Sequence, residues 1–261
     1  MLRFLKRLRT TLIESGSTQK YLLYALGEIL LVMVGILLAL QVNNWNEDRS
    51  RQNQIKLNLE NLSEAIKEDY IILELIERIN SFRYHSLLHT LSLAGNSQDE
   101  QDGSVVLMDS NNIWNRSIPD GFDPEFFEIT FKWITRPRIM TTHSYAMEEF
   151  KSSGLYSHLE DQSLKDRIAK YYGNLDWHFG NDETPNSLHN LVEYVENTYG
   201  MLIKDISNLE DPIEFIKNDP LLIVKMRGVI ANASWRYRGA IACMKNADIV
   251  LEMIASVTEH D

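Results

Sequence analysis

The longest apolar run of the chain spans residues 21–42 and reads YLLYALGEILLVMVGILLALQV. It contains one ionisable side chain, Glu28. A helix of this length is about 33 Å long, which suffices to cross a bilayer core of about 30 Å. The pattern therefore predicts a transmembrane helix over 21–42. The polar residues 43–54 that follow predict a solvated juxtamembrane stalk, either helical or a short hinge.

A cleaved signal peptide is the alternative for this run, because basic residues precede it. The run is longer than the roughly 7–15 apolar residues of a signal peptide, and no small-residue cleavage site follows it. Trp45 comes just after the run, where aromatic residues sit at a membrane interface. These features favour an uncleaved anchor.

Beyond residue 55 the apolar positions repeat as they do in helices that pack in a bundle. From Ile55 to Ile76 they alternate in steps of four and three, and Asp69 interrupts the row. Asp219 and Pro220 predict the start of a last helix that runs to about Thr258. Its two apolar rows hold Leu222, Val229, Arg236, Cys243 and Val250 in one, and Met226, Ala233, Ala240, Ala247 and Ile254 in the other. The three alanines predict a closely approaching neighbour helix.

The middle of the chain carries local helix signals. We expect helices over 142–152, ended by Gly154, from Ser163 onward through residues 171–172, and from the Thr184–Pro185 pair to Gly200. Prolines divide 105–140, where we expect short helices and loops or a small hairpin. The predicted fold is all-α, a transmembrane helix followed by a bundle whose long first and last helices are antiparallel. The predicted segments are 1–20 (tail), 21–42 (membrane), 43–54 (stalk) and 55–261 (helical domain).

Charge predicts the orientation in the membrane. Residues 1–20 contain five basic side chains and one acidic side chain, so this amphipathic tail carries a net charge of +4. Because the whole chain carries −11, the remainder carries −15. The positive-inside rule places the tail in the cytoplasm and the acidic domain outside, which in a bacterium is the periplasm. The acidic domain also argues against nucleic acid as a partner.

The stretch KYLLYALGEILLVMVGILLALQVNNWNEDR, residues 20–49, resembles the signature of a family of bacterial single-pass inner-membrane proteins with a domain of unknown function. Residues 145–172 are similar to a second pattern of that family. The resemblance implies an inner-membrane location and an α-rich exterior. It assigns no activity, so no catalytic residue is carried over from it.

Glu28 is the most informative position of the predicted membrane helix. An ionised carboxylate within the hydrocarbon costs at least about 2–3 kcal/mol, so we expect Glu28 to be neutral or paired. It shares a helical face with Tyr24, Leu31, Gly35 and Ala39, and Gly35-x-x-x-Ala39 is a small-residue contact motif. We interpret this face as a membrane-helix interface with copies of the chain or with another inner-membrane protein. The alternative is an ion- or proton-responsive carboxylate, because stator and biopolymer-transport proteins resemble this chain in topology.

Two further sets of residues in the exterior are candidate sites. Asp69 and Arg236 each interrupt an apolar row. If the first and last helices are antiparallel they lie at one level, and we hypothesise an ion pair inside the bundle. A pocket for a small periplasmic ligand is the second hypothesis, with ordinary core packing as its alternative. Its residues would be Tyr171, Tyr172, Trp177, His178 and Trp235.

No pattern in the sequence predicts catalysis, a metal or a cofactor. His85 and His89 are four residues apart, but no glutamate lies between them and no third ligand is near. Phosphate-binding loops and nucleophile elbows are missing, and Cys243 is the only cysteine. We predict a non-enzymatic structural or adaptor subunit of an envelope complex, in the bilayer and with a membrane partner. The alternatives are a transducer that uses Glu28 with a partner channel, and a periplasmic ligand sensor that signals through a partner.

Overall fold

A computed structural model describes residues 18–96, 113–136, 140, 142–180 and 184–259, without the side chains of 18–21, 24, 184 and 185. The chain divides into two compact units, residues 1–57 and 58–261. Within the described ranges every regular element is helical, so the all-α prediction is confirmed. The basic tail 1–17 and most of the acidic loop at 95–104 lie outside the described residues.

Helix α1, Thr18–Leu93, includes both the predicted membrane segment and the predicted stalk. Of the two conformations expected for 43–54, the helical one is present and the hinge is not. The sequence explains this continuity, because neither glycine nor proline occurs between Gly35 and Leu93. The helix ends at Leu93, two residues before Gly95, whose φ of 74° is the left-handed conformation typical of a residue that follows a helix terminus. Asn96 N donates to Leu91 O at 2.8 Å.

The apolar rows predicted from the heptad pattern are buried. In α1 they comprise Ile55, Leu59, Leu62, Ile66, Leu73 and Ile76. Helix α7, Pro220–Thr258, buries every member of both its rows, including the three alanines and Cys243. Ile71, which lies outside the predicted row, is 66% exposed.

Shorter helices lie between these two. They are α2 Pro124–Ile134, α3 Tyr145–Ser152, α4 Gln162–Leu175, α5 Thr184–Tyr199 and α6 Pro212–Lys217, with 3-10 turns at Leu155–His158 and Ile203–Asn208 and a π turn at Asp176–Gly180. Two predicted starts were wrong. Helix α3 begins at Tyr145 and not at residue 142. The cap of α4 is Asp161 and not Ser163, because the Asp161 side chain accepts from Leu164 N at 3.0 Å. Among the described residues of 105–140 there is no hairpin.

The core of the second unit is organised around α7, which packs against α4 and α5. One buried cluster joins residues 84–94 of α1 to 222–233 of α7 and to side chains of α2 and α5. A smaller cluster joins Ile79 and Phe82 of α1 to Ile113, Trp114 and Phe126. The π turn follows α4 directly, so it also contacts α7. This contact positions the candidate pocket described below.

Candidate functional site

The predicted membrane-helix face lies on an exposed part of α1. Glu28, Leu31, Gly35 and Ala39 are all exposed, and Tyr24 has no described side chain. A β-carbon added at Gly35 would meet nothing within 4 Å. An 18-residue window of α1 has a mean hydropathy of 2.3, and none of it is buried. One helix of the described chain is therefore long and apolar enough to cross a membrane, and its small-residue face is open to a neighbour.

Asp69, the polar interruption of the α1 row, is completely buried and fully hydrogen-bonded. Its Oδ1 accepts from the backbone N of His143 at 2.7 Å and lies 2.8 Å from the Nδ1 of the same residue. Its Oδ2 accepts from the Tyr171 hydroxyl at 3.1 Å. Burial, together with the Asp69 charge, raises the pKa of Tyr171 well above its ordinary value, so this hydroxyl stays a donor. The cluster ties α1 to α4 and to the segment that precedes α3.

The imidazole of His143 lies between a buried and an exposed carboxylate. Its Nε2 is 3.4 Å from Glu68 Oε2, on the side opposite the contact with Asp69. This geometry can hold the ring in one orientation, with Nδ1 towards Asp69. Local sequence reasoning missed His143, because its 74-residue separation from Asp69 leaves no periodic signal.

Arg236, the charge in the α7 row, is 1% exposed, and its guanidinium carbon lies 5.3 Å from the centroid of the Phe179 ring. Arg83 of α1 is also buried; it donates to Asn80 Oδ1 at 2.7 Å and to Arg136 O at 2.9 Å. Burial, with the Arg236 charge nearby, lowers the pKa of Arg83 to about 10. Asp69 and Arg236 are thus both inside the helical unit, and the ion pair between them stays a prediction.

Three of the five predicted pocket residues line one cavity. Trp177, His178 and Trp235 border a space of about 650 Å³ together with polar residues of α5 and α7. The ring centroids of Trp177 and Trp235 are 6.3 Å apart, and those of His178 and Trp235 are 4.9 Å apart. Gly239 makes this arrangement possible, since a β-carbon there would lie 2.7 Å from Cγ and Nδ1 of His178. Burial against α7 lowers the pKa of His178.

The other two predicted pocket residues lie elsewhere. Tyr171 is part of the Asp69 cluster, and Tyr172 borders a smaller cavity of about 280 Å³ with Phe179. The Tyr172 hydroxyl is buried without a hydrogen-bond partner among the described residues. Consecutive residues of a helix point about 100° apart, so this pair divides between a core cluster and a cavity wall.

Asp219 is a second buried carboxylate, predicted from the sequence only as a helix cap. Its Oδ1 accepts from Leu221 N and Leu222 N, both at 3.0 Å. Its Oδ2 accepts from Tyr199 at 2.5 Å and from Tyr194 at 2.9 Å. Burial alone would raise the pKa of Asp219, but the hydrogen bonds outweigh burial and lower it. This cap therefore also joins α7 to the end of α5.

The histidines proposed and rejected as a metal pair have separate surroundings. His89 Nε2 lies 3.3 Å from Gly121 O, and the ring of His85 packs edge-on against Tyr84 at 4.9 Å. In the part of the chain that the structure describes, no group of three or more His, Cys, Asp or Glu residues could hold a metal ion. Cys243 is buried, as predicted, and burial raises the pKa of its thiol to about 12, which makes it unreactive.

Comparison with known proteins finds a sequence similarity for the first helix. Residues 28–95 match the sequence profile of a family described as "Family of unknown function (DUF6090)". The match confirms the predicted resemblance to a domain-of-unknown-function family, and it covers most of α1 and about a quarter of the chain. No curated protein and no solved structure matches the chain.

Proposed function

We propose that this protein is a membrane-anchored, non-enzymatic structural or adaptor subunit of a bacterial envelope complex. It associates with its partners through the membrane-helix face formed by Tyr24, Glu28, Leu31, Gly35 and Ala39. The observation that carries the proposal is the exposure of the apolar part of α1, where the described side chains from 26 to 42 all lie at the surface. Such a length of apolar helix needs a bilayer or other apolar helices around it.

The proposed placement puts the tail 1–20 in the cytoplasm, residues 21–42 in the inner membrane and 55–261 in the periplasm as a helical bundle. The charge contrast between the tail and the remainder supports this orientation. The proposed antiparallel arrangement of the first and last helices is supported by the buried cluster that residues 84–94 share with 222–233.

Placement is tested with an added surface cysteine, because the native Cys243 is buried and unreactive. Lys151→Cys puts a thiol on the exposed side of α3. A membrane-impermeant maleimide added to cells with a permeabilised outer membrane is expected to label this variant and to leave the wild-type chain unlabelled. Labelling only after the inner membrane is lysed would reverse the proposed orientation.

Association is tested by native mass measurement of the full-length protein in a mild detergent, with identification of co-purifying proteins. Gly35→Leu fills the open small-residue motif and is expected to shift the mass towards that of a single chain or to lower the amount of co-purifying partner. Gly27→Leu is the matched control, since a β-carbon at Gly27 also meets nothing within 4 Å and the residue lies about 80° away around the helix. Association through this face would be contradicted if the two variants changed the mass equally, or if neither variant changed it.

The transducer alternative is separated from the adaptor by Glu28→Gln, which removes the charge and keeps hydrogen bonding. An adaptor is expected to keep its assembly and its cellular phenotype with this substitution. Loss of the phenotype with assembly intact would instead favour a carboxylate that responds to ions.

A further inference from the structure

The cavity bordered by Trp177, His178 and Trp235 has features that core packing does not require. Trp177 is 71% exposed and Trp235 is 46% exposed, although the large apolar surface of tryptophan normally favours burial. Both indoles border the same space of about 650 Å³, a volume in the range of small-molecule sites. They lie at 57° to each other with centroids 6.3 Å apart, so together they form an angled aromatic wall.

The backbone at this wall departs from regular helix geometry. Asp176–Gly180 is a π turn at the end of α4, and such turns frequently occur at functional sites. The turn places Trp177 and His178 beside α7, where the absence of a side chain at Gly239 lets the imidazole approach the helix. The Asp176 carboxylate folds back towards Gly180 of the same turn.

The polar side chains of the cavity are uncharged apart from Asp176, since burial lowers the pKa of His178 and favours its neutral imidazole. Asn186 and Asn190 of α5 are exposed on one wall, with Ser187 between them and Asn232 on α7. Each amide offers two donor hydrogens and an acceptor oxygen. Among the described residues that line the space there is no lysine or arginine, so nothing in it would neutralise a phosphate or a carboxylate.

From this combination we propose that the cavity binds a neutral saccharide. The C–H face of a sugar ring is apolar and stacks on an indole, while the hydroxyls at its edge hydrogen-bond to amides. Trp177 and Trp235 provide the stacking surface, and Asn186 and Asn190 provide donors and acceptors. This binding activity is additional to the proposed adaptor role and does not depend on the membrane-helix face.

The test uses the full-length protein in a detergent without a sugar head group, because a glycoside detergent would compete for the site. Tri-N-acetylchitotriose and maltotriose are titrated while the intrinsic tryptophan fluorescence is recorded. We expect saturable quenching by at least one of these sugars. Trp177→Ala and Asn190→Ala change exposed side chains and should leave the fold intact, and each is expected to weaken binding about ten-fold, which corresponds to about 1.4 kcal/mol.

Trp45→Phe is the matched control, since it removes an exposed indole outside the cavity and should leave the dissociation constant unchanged. The proposal would be overturned if neither sugar gave saturable quenching. It would also be overturned if both Trp177→Ala and Asn190→Ala bound sugar as tightly as the wild-type chain. Saturable quenching by tetramethylammonium alone would also overturn it, because that result assigns the aromatic wall to cation–π recognition.

Discussion

The two halves of α1 both carry apolar side chains along one helix but have opposite surroundings. Between 26 and 42 the apolar side chains are exposed, whereas between 55 and 76 those of the heptad row are buried. Each half has one acid on its apolar surface: Glu28 is exposed, and Asp69 is buried with both its oxygens hydrogen-bonded. The second unit therefore supplies partners for Asp69, whereas Glu28 lies at the surface of the helix.

Small residues show the same contrast. Ala233, Ala240 and Ala247 of α7 are fully buried within the second unit. Gly35 has open space around it and Ala39 is exposed. Small residues therefore meet close neighbours of the same chain along α7, whereas a close contact at Gly35 and Ala39 is part of the proposed association.

The largest expected effect comes from removing the buried acid. Asp69→Ala leaves the His143 backbone N–H and the Tyr171 hydroxyl without their acceptor, so we expect a loss of about 3 kcal/mol in the free energy of unfolding. Glu28→Ala is the matched substitution in the exposed half, and it should leave the unfolding of the second unit unchanged. Denaturant unfolding followed by circular dichroism measures both variants. Equal losses would break the contrast between the two halves.

A smaller effect is expected from overpacking the alanine row of α7. Ala240→Leu introduces three carbons at a fully buried position and should cost about 2 kcal/mol. Ala231→Leu, at an exposed position of the same helix, is the control for helix propensity. Thermal unfolding compares the two. A stable Ala240→Leu variant would show that the space beside α7 can expand.

We expect the Asp219 cap to contribute about 1 kcal/mol to the free energy of unfolding, the usual contribution of an N-cap, and this contribution should depend on pH. Its folded-state pKa is lowered, so its contribution is complete above the unfolded pKa of about 4 and is lost as the pH falls through the folded value. Asp219→Ala should therefore lower stability at pH 7 and show a shallower decline between about pH 5 and pH 2. Parallel pH profiles for wild type and variant would contradict this linkage.

The smallest expected effect is in the membrane helix. Gly35→Leu should weaken association by about 0.6 kcal/mol, the scale measured for contacts between membrane helices, while the unfolding of the second unit stays unchanged. Cross-linking yield at increasing detergent-to-protein ratios measures this change, with Gly27→Leu as the reference. Lower stability of the second unit in Gly35→Leu would show that this face serves the fold instead of association.

Local patterns were sufficient for the two long helices, α1 and α7. The heptad rows predicted which side chains of α1 and α7 are buried, and Asp219–Pro220 predicted the start of α7, because periodicity and capping act over a few residues. The same reasoning misplaced the cap of α4, since Asp161 and Ser163 both suit a helix start and it is Asp161 that accepts from Leu164 N. It also grouped Tyr171 and Tyr172 with the cavity, although one belongs to the Asp69 cluster and the other borders a second space.

The sequence by itself determined that the chain is all-α, that it has one apolar helix long enough to span a membrane, and which residues interrupt the apolar rows. Only the tertiary structure decided what those residues contact. The partners of Asp69 lie 74 and 102 residues away along the chain, and Trp177 and Trp235 meet across the π turn and α7. Contacts at such distances depend on how helices pack, which no local pattern encodes, whereas the period of an apolar row follows from the geometry of a single helix.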